Sequence, residues 1–210
     1  MSPLRSSFFI FLAVFFSFFA GFPAVNGHNL ILETCKTCAQ KDPNLSYNFC
    51  VASLQAVPKS GRADLRQLGN ISIKLTKHNV TATRRRVKKL LKKKNLDPFV
   101  KGCLDDCFEL YSDAIPSLKK ALKDYKGKRY EDANIDVSSV IDSATTCEDG
   151  FNEKDGVVSP LTKRNNDTFQ LSAIALSIIR GYFKAALYLV GHGQVVIPPF
   201  EGWWGLIALV

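Results

Sequence analysis

Residues of small or apolar side chain recur at alternating steps of three and four through Val100, Cys103, Cys107, Leu110, Ala114, Ser117 and Ala121. With about 3.6 residues per turn, that spacing lays them along one stripe of an amphipathic helix. Asp97-Pro98 supplies the start, an N-cap carboxylate followed by a ring whose fixed φ suits the first helical position. Pro116 falls inside the pattern and predicts a kink, because its nitrogen cannot donate to the helical ladder. A second stripe runs Ala133, Val137, Val140, Ala144, Cys147 and Phe151. Between the two lies Tyr125-Lys-Gly-Lys-Arg-Tyr130, a short basic turn about Gly127, so the pair reads as an antiparallel helical hairpin. A third helix is predicted over about residues 64–94 by Ile73, Thr76, Val80, Thr83, Val87 and Leu90. A fourth is predicted by Leu171, Ile174 and Ile178, with Ala175 and Ile179 beside them. Asp155-Gly156 and Ser159-Pro160 mark the loop before it. Upstream, short segments near 30–37 and 47–55 flank a turn at Asp42-Pro43-Asn44. No strand pairs or internal repeats are evident. The pattern predicts an all-α fold, an up-and-down four-helix bundle with an N-terminal helical hairpin.

The start of the chain changes how its cysteines are read. Eight of the 15 Phe lie before residue 23. Arg5 precedes an apolar run from Phe8 to Ala20, and Pro23 to Gly27 provide a small-residue exit. This is the layout of a secretory signal peptide over residues 1–27, cleaved near Gly27/His28. The run is too short for the roughly 20 residues that span a bilayer, so no stable membrane insertion is expected after its removal. The mature chain is then expected to be secreted through an oxidising lumen, where its six Cys are disulfide candidates first. If the central hairpin turns at Gly127, Cys107 and Cys147 each lie twenty residues from the turn and on inward stripes. Cys35 and Cys50 are matched in the same way about the turn at Asp42 and Pro43. The register thus pairs Cys35 with Cys50 and Cys107 with Cys147, a disulfide-stapled bundle, and leaves Cys38 and Cys103 over. Cys35-Lys-Thr-Cys38 also has a redox or half-zinc spacing, but it lacks the preceding strand and the matching second pair. No metal and no cofactor are expected. Four sequons, at Asn44, Asn70, Asn79 and Asn166, make the secreted chain a glycosylation candidate.

Certain runs of residues are distinctive in combination. They are Glu33-Thr-Cys-Lys-Thr37 with Tyr47-Asn-Phe-Cys-Val-Ala-Ser-Leu54, then Leu104-Asp-Asp-Cys-Phe-Glu-Leu-Tyr-Ser-Asp-Ala114, Ala144-Thr-Thr-Cys-Glu-Asp-Gly-Phe151 and Val158-Ser-Pro-Leu-Thr162. In this order, with the late aliphatic helix, they resemble the plant invertase/pectin methylesterase inhibitor family, most of all its pollen-allergen branch. The resemblance covers residues 28–182, and residues 183–210 form an atypical apolar tail, broken by Pro198 and Pro199. It implies the same hairpin-plus-bundle fold and the same two bridges, Cys35–Cys50 and Cys107–Cys147. It also implies inhibition of a plant cell-wall or vacuolar invertase or, as the alternative, a pectin methylesterase. In the invertase type a Pro-Lys-Phe turn between the second and third bundle helices enters the enzyme's cleft. The matching positions here are Lys128, Arg129 and Tyr130, where charge and ring persist and the proline is absent. In the pectin type the contact runs along the bundle helices instead. A pollen or seed storage protein without an enzyme target is the alternative from another class.

The residues offer no catalytic constellation of their own. His28, His78 and His192 have no nucleophile and carboxylate at a recognisable spacing. Neighbouring acids such as Asp105 and Asp106 point to different helix faces. Binding rather than turnover is the expectation. The net charge is +9, and eight of the 11 residues Arg84–Lys94 are basic. Secretion argues against nucleic acid as partner. Two readings remain, a solvated helix face whose cations suit the C-terminal dipole, and weak binding to anionic pectin in the apoplast or cell wall. A vacuolar location fits the same family.

Overall fold

The computed structural model describes the backbone of residues 27–192 and the side chains of residues 29–182. Residues 1–26 of the expected signal segment and residues 193–210 of the apolar tail lie outside the described residues. Six α-helices follow in order: α1 (Gly27–Lys41), α2 (Tyr47–Gln55), α3 (Leu65–Leu90), α4 (Pro98–Lys126), α5 (Tyr130–Asn152) and α6 (Thr162–His192), with a 3₁₀ turn at Ser60–Arg62. There is no strand among the described residues. The backbone of α6 runs past Tyr182, the expected domain edge, to His192.

The starts of α3 and α4 are written in their capping residues. Asp64 accepts from Gln67 N at 2.6 Å, and the Gln67 side chain accepts from Asp64 N at 2.9 Å, a reciprocal box that satisfies two orphan donors of α3. Asp97 accepts from Phe99 N and Val100 N at 3.0 and 3.2 Å, with Pro98 opening α4. α4 then continues unbroken through Pro116. Glu131 and Asp132 occupy the first turn of α5, at the positive end of its dipole.

α3 packs against α4 and α6, and α5 packs against the same two, so α3 and α5 stand on diagonal corners of the bundle. The stripes expected on α3 and α5 are buried throughout. On α4 the buried arc is rotated from the expected stripe: Leu110 and Ser117 are only half-buried, while Leu104, Tyr111, Leu118 and Tyr125 form the inward ridge. A second apolar cluster lies under the hairpin, where Ile31, Leu54 and Leu68 meet Ile174 and Ile178 of α6. Each such side chain contributes about 1.5–3 kcal/mol on burial. Gly69 admits Tyr125 against α3; a Cβ there would lie 2.6 Å from Tyr125 Cζ.

A polar layer crosses the bundle. The Tyr111 hydroxyl donates to Asn165 Oδ1 at 2.6 Å and sits 3.2 Å from Thr168 Oγ1. Asn165 Nδ2 donates to Glu148 Oε2 at 2.6 Å, and Asn79 Nδ2 to Thr168 Oγ1 at 3.4 Å. All four bundle helices therefore share one hydrogen-bonded chain. Burial pushes the Tyr111 hydroxyl up to about 12, which keeps it a donor.

Both expected disulfides are present. Cys35–Cys50 joins α1 to α2, with Cα atoms 5.6 Å apart, and Cys107–Cys147 joins α4 to α5, at 4.9 Å. Cys38 and Cys103 are buried free thiols. Burial pushes the Cys38 thiol up to about 11, and Cys35, the other member of its Cys-x-x-Cys pair, is held in the bridge to Cys50. The Cys103 thiol donates to Gly150 O at 3.4 Å.

Candidate functional site

The turn between α4 and α5 closes one end of the bundle. Three backbone bonds wind the chain off α4: Gly127 N to Lys123 O at 3.0 Å, Lys128 N to Tyr125 O at 3.1 Å and Arg129 N to Asp124 O at 2.9 Å. Gly127 keeps an ordinary negative φ of −77°, and the left-handed residue is Lys128, at φ +62°. An L residue there costs about 1 kcal/mol or more, so the surrounding structure must hold it.

The brace is a set of buried and half-buried polar contacts. Arg129 pairs with Asp124, whose carboxylate is almost inaccessible, and its Nε lies 3.6 Å from Asp132. Lys120 Nζ reaches Asp136 at 2.9 Å and Asp124 at 3.4 Å. The hydrogen bond from Arg129 holds the Asp124 carboxyl below the usual carboxylate range, against the opposing effect of burial. Arg66 Nη2 donates to Lys126 O at 2.9 Å, and Tyr125 OH donates to Arg66 O at 3.2 Å, so the start of α3 is bound to the turn as well.

The three residues expected at the tip thus come together in different roles. Lys128 is exposed and enters none of the ion pairs among the described residues. Arg129 is half-exposed, with its guanidinium turned back on Asp124. Tyr130 is only 8% exposed, although the resemblance matched it to a turn that enters an enzyme's cleft. Its ring stacks on Tyr182 at 5.2 Å and meets Tyr125 edge-on at 5.4 Å. The reason is periodicity: Tyr130 lies three residues before Ala133 and continues the buried stripe of α5 backwards. Asp124 was missed altogether, and its signal is weak, an acid among the basic residues before the turn.

The sequons separate by environment. Asn44 and Asn166 are exposed. Asn70 is half-buried with its Oδ1 enclosed, and Asn79 is engaged by Thr168 and Thr83 at the α3–α6 contact. Within the basic run, Val87 and Leu90 are buried, while Arg85, Arg86, Lys88 and Lys89 are exposed. Arg84 alone is drawn inward, 2.6 Å from Ser112 Oγ and 4.5 Å over the Phe108 ring. Among the described residues no group of three or more His, Cys, Asp or Glu is placed to hold a metal ion. No described helix is long and apolar enough to cross a membrane.

The family model for plant invertase/pectin methylesterase inhibitors matches residues 29–178. A protein of Platanus acerifolia named "Putative invertase inhibitor" is 45% identical over 166 residues, 79% of this chain and 92% of that one. A "Pectinesterase inhibitor" of Actinidia deliciosa is 32% identical over 157 residues, 74% of this chain and 81% of that one. The crystal structure of a mutant form of a pectin methylesterase inhibitor from Arabidopsis superposes with a TM-score of 0.61 at 26% identity, covering 70% of this chain and 95% of that one. Helix order, both bridges and these likenesses converge: the chain belongs to the plant invertase/pectin methylesterase inhibitor family.

Proposed function

We propose that this chain is a secreted, stoichiometric inhibitor that blocks the active-site cleft of a plant cell-wall or vacuolar invertase, without turnover of its own. The observation that carries this reading is the α4–α5 turn, where an exposed Lys128 is presented on a frame braced by the Asp124–Arg129 pair. Invertases work with paired carboxylates. A cation seated at them neutralises the catalytic charges and excludes the sugar. Preorganisation matters because association otherwise loses free energy to ordering a loop. Here the Asp124–Arg129 pair and the Tyr130–Tyr182 stack hold the turn in place of the missing proline. Two disulfides suit the oxidising route that secretion requires. Glycans belong on Asn44 and Asn166, whose side chains are free of the core, and peptide mass mapping of the plant-expressed protein should find occupancy there and none at Asn79.

Titration of purified protein against an invertase tests the reading. Lys128→Glu should weaken inhibition by about 2 kcal/mol or more, the scale of an interface hot spot, with the melting temperature little changed. Equal inhibition by wild type and variant would remove Lys128 from the contact. The absent proline, together with the similarity to a solved pectin methylesterase inhibitor, favours a second reading in which that esterase is the target. Inhibition of the esterase alone, indifferent to Lys128→Glu, would select it. Failure to inhibit either enzyme would leave the storage-protein alternative.

A further inference from the structure

α3 carries eight Lys or Arg and no Asp or Glu. α5, on the diagonal corner, carries six acids and no Lys or Arg. α4, between them, holds five of each sign. Charge is therefore segregated across the bundle instead of being mixed around it. None of the ion pairs among the described residues uses a cation of α3. Arg85, Arg86, Lys88 and Lys89 are exposed on its last two turns, and the lysines at 92–94 extend the patch into the following loop. A row of like charges without internal counter-charges projects a field that concentrates polyanions.

The occupant follows from what the face lacks. α3 has no Phe, Tyr or Trp, and its one imidazole, His78, precedes the cation-dense last two turns, so the patch offers no row of rings on which nucleic-acid bases could stack. Its apolar stripe is buried in the bundle core, so it has no apolar side to lay into a membrane. What remains is a linear array of cations, suited to a linear array of carboxylates. We propose that the exposed face of α3 with the lysines at 92–94 is a binding site for a polyuronate, the de-esterified pectin of a plant wall. The choice of a wall polyanion rests on the wall-enzyme reading above.

The geometry makes this site compatible with inhibition. Arg66, at the start of α3, touches Lys126 beside the α4–α5 turn, so the basic end of α3 lies at the opposite pole of the bundle. The 29 residues of α4 separate the two ends by about 40 Å at 1.5 Å per residue. A chain held on pectate through α3 keeps Lys128 pointing away from the polymer, free to meet an enzyme.

The test measures binding to immobilised polygalacturonate in about 150 mM salt, where only dense charge still attracts strongly. Fully methyl-esterified pectin, duplex DNA and anionic vesicles are run beside it. R85Q/R86Q/K88Q/K89Q should bind pectate about tenfold or more weakly, while K36Q/K59Q/K119Q/K123Q, with the same loss of charge elsewhere, should bind as wild type does. Melting curves check that both variants fold. Equal losses in the two variants would reduce the effect to net charge and overturn the site. So would tighter binding to DNA or vesicles than to pectate, or no binding by wild type. Inhibition is assayed without pectate and binding without enzyme, so failure of one reading is distinct from failure of the other.

Discussion

Asp124 shows how much one unremarkable acid can decide. It is shielded from water, yet three cationic or donor groups converge on it and its neighbours: Arg129 on its carboxylate, Lys120 at 3.4 Å, and the Arg129 backbone N–H on its carbonyl. Because its native pKa is depressed, its contribution to stability is fully present above the unfolded carboxylate value of about 3.9. That contribution fades as pH falls through the lower native value. Asp124→Asn should therefore reduce the urea midpoint near neutral pH, and the gap from wild type should narrow as the solution is acidified towards about pH 2. A gap that is constant with pH would show that packing, not the ion pair, accounts for the loss. None of this was visible in the sequence, where Arg129 was one of three positions matched to a cleft-entering turn. An i,i+5 pair across a helix end depends on the path the backbone takes there, and that path is set by Lys128 at positive φ and not by Gly127.

At the scale of the helix, pattern carried most of the information. The stripes of α3 and α5 and the cap Asp97 were legible because each depends on neighbours within a few residues. The ridge of α4 was legible only in part. Tyr111 and Tyr125 are amphipathic, and their burial depends on partners elsewhere in the chain, Asn165 for one hydroxyl and the space left by Gly69 for the other ring. The disulfide register was legible because two long helices about a short turn leave little freedom in which residues face each other. The Cys107–Cys147 bridge closes a separation of 40 residues, worth roughly 4 kcal/mol by restriction of the unfolded chain. Replacing both cysteines by Ala should lower unfolding stability by about that amount, measured by urea titration, with helical content retained. A loss under about 1 kcal/mol would mean that the unfolded chain is already held compact by other contacts.

The molecule as a whole has two apolar cores joined along α6. One fills the bundle; the other, under the hairpin, rests on Ala173, Ile174 and Ile178. The hairpin is fastened to that surface by a reciprocal clasp: Gln170 Oε1 accepts from Ser46 N at 2.8 Å, and Gln170 Nε2 donates to Asn44 O at 2.6 Å. Ser46 is also the N-cap of α2, so the clasp fixes both the position and the start of that helix. Bundle and hairpin are therefore expected to be unequal in local stability, since each has its own bridge but the bundle adds a polar layer through four helices while the hairpin relies on docking. Gln170→Ala leaves two backbone groups without their partners at the seam, at a cost of about 1–3 kcal/mol where water cannot replace them. Native-state hydrogen exchange should then show the amides of α1 and α2 exchanging faster, with those of α4 and α5 unchanged. If α4 and α5 accelerate by the same factor, hairpin and bundle unfold as one unit, and the clasp is a contributor to global stability instead of a local latch.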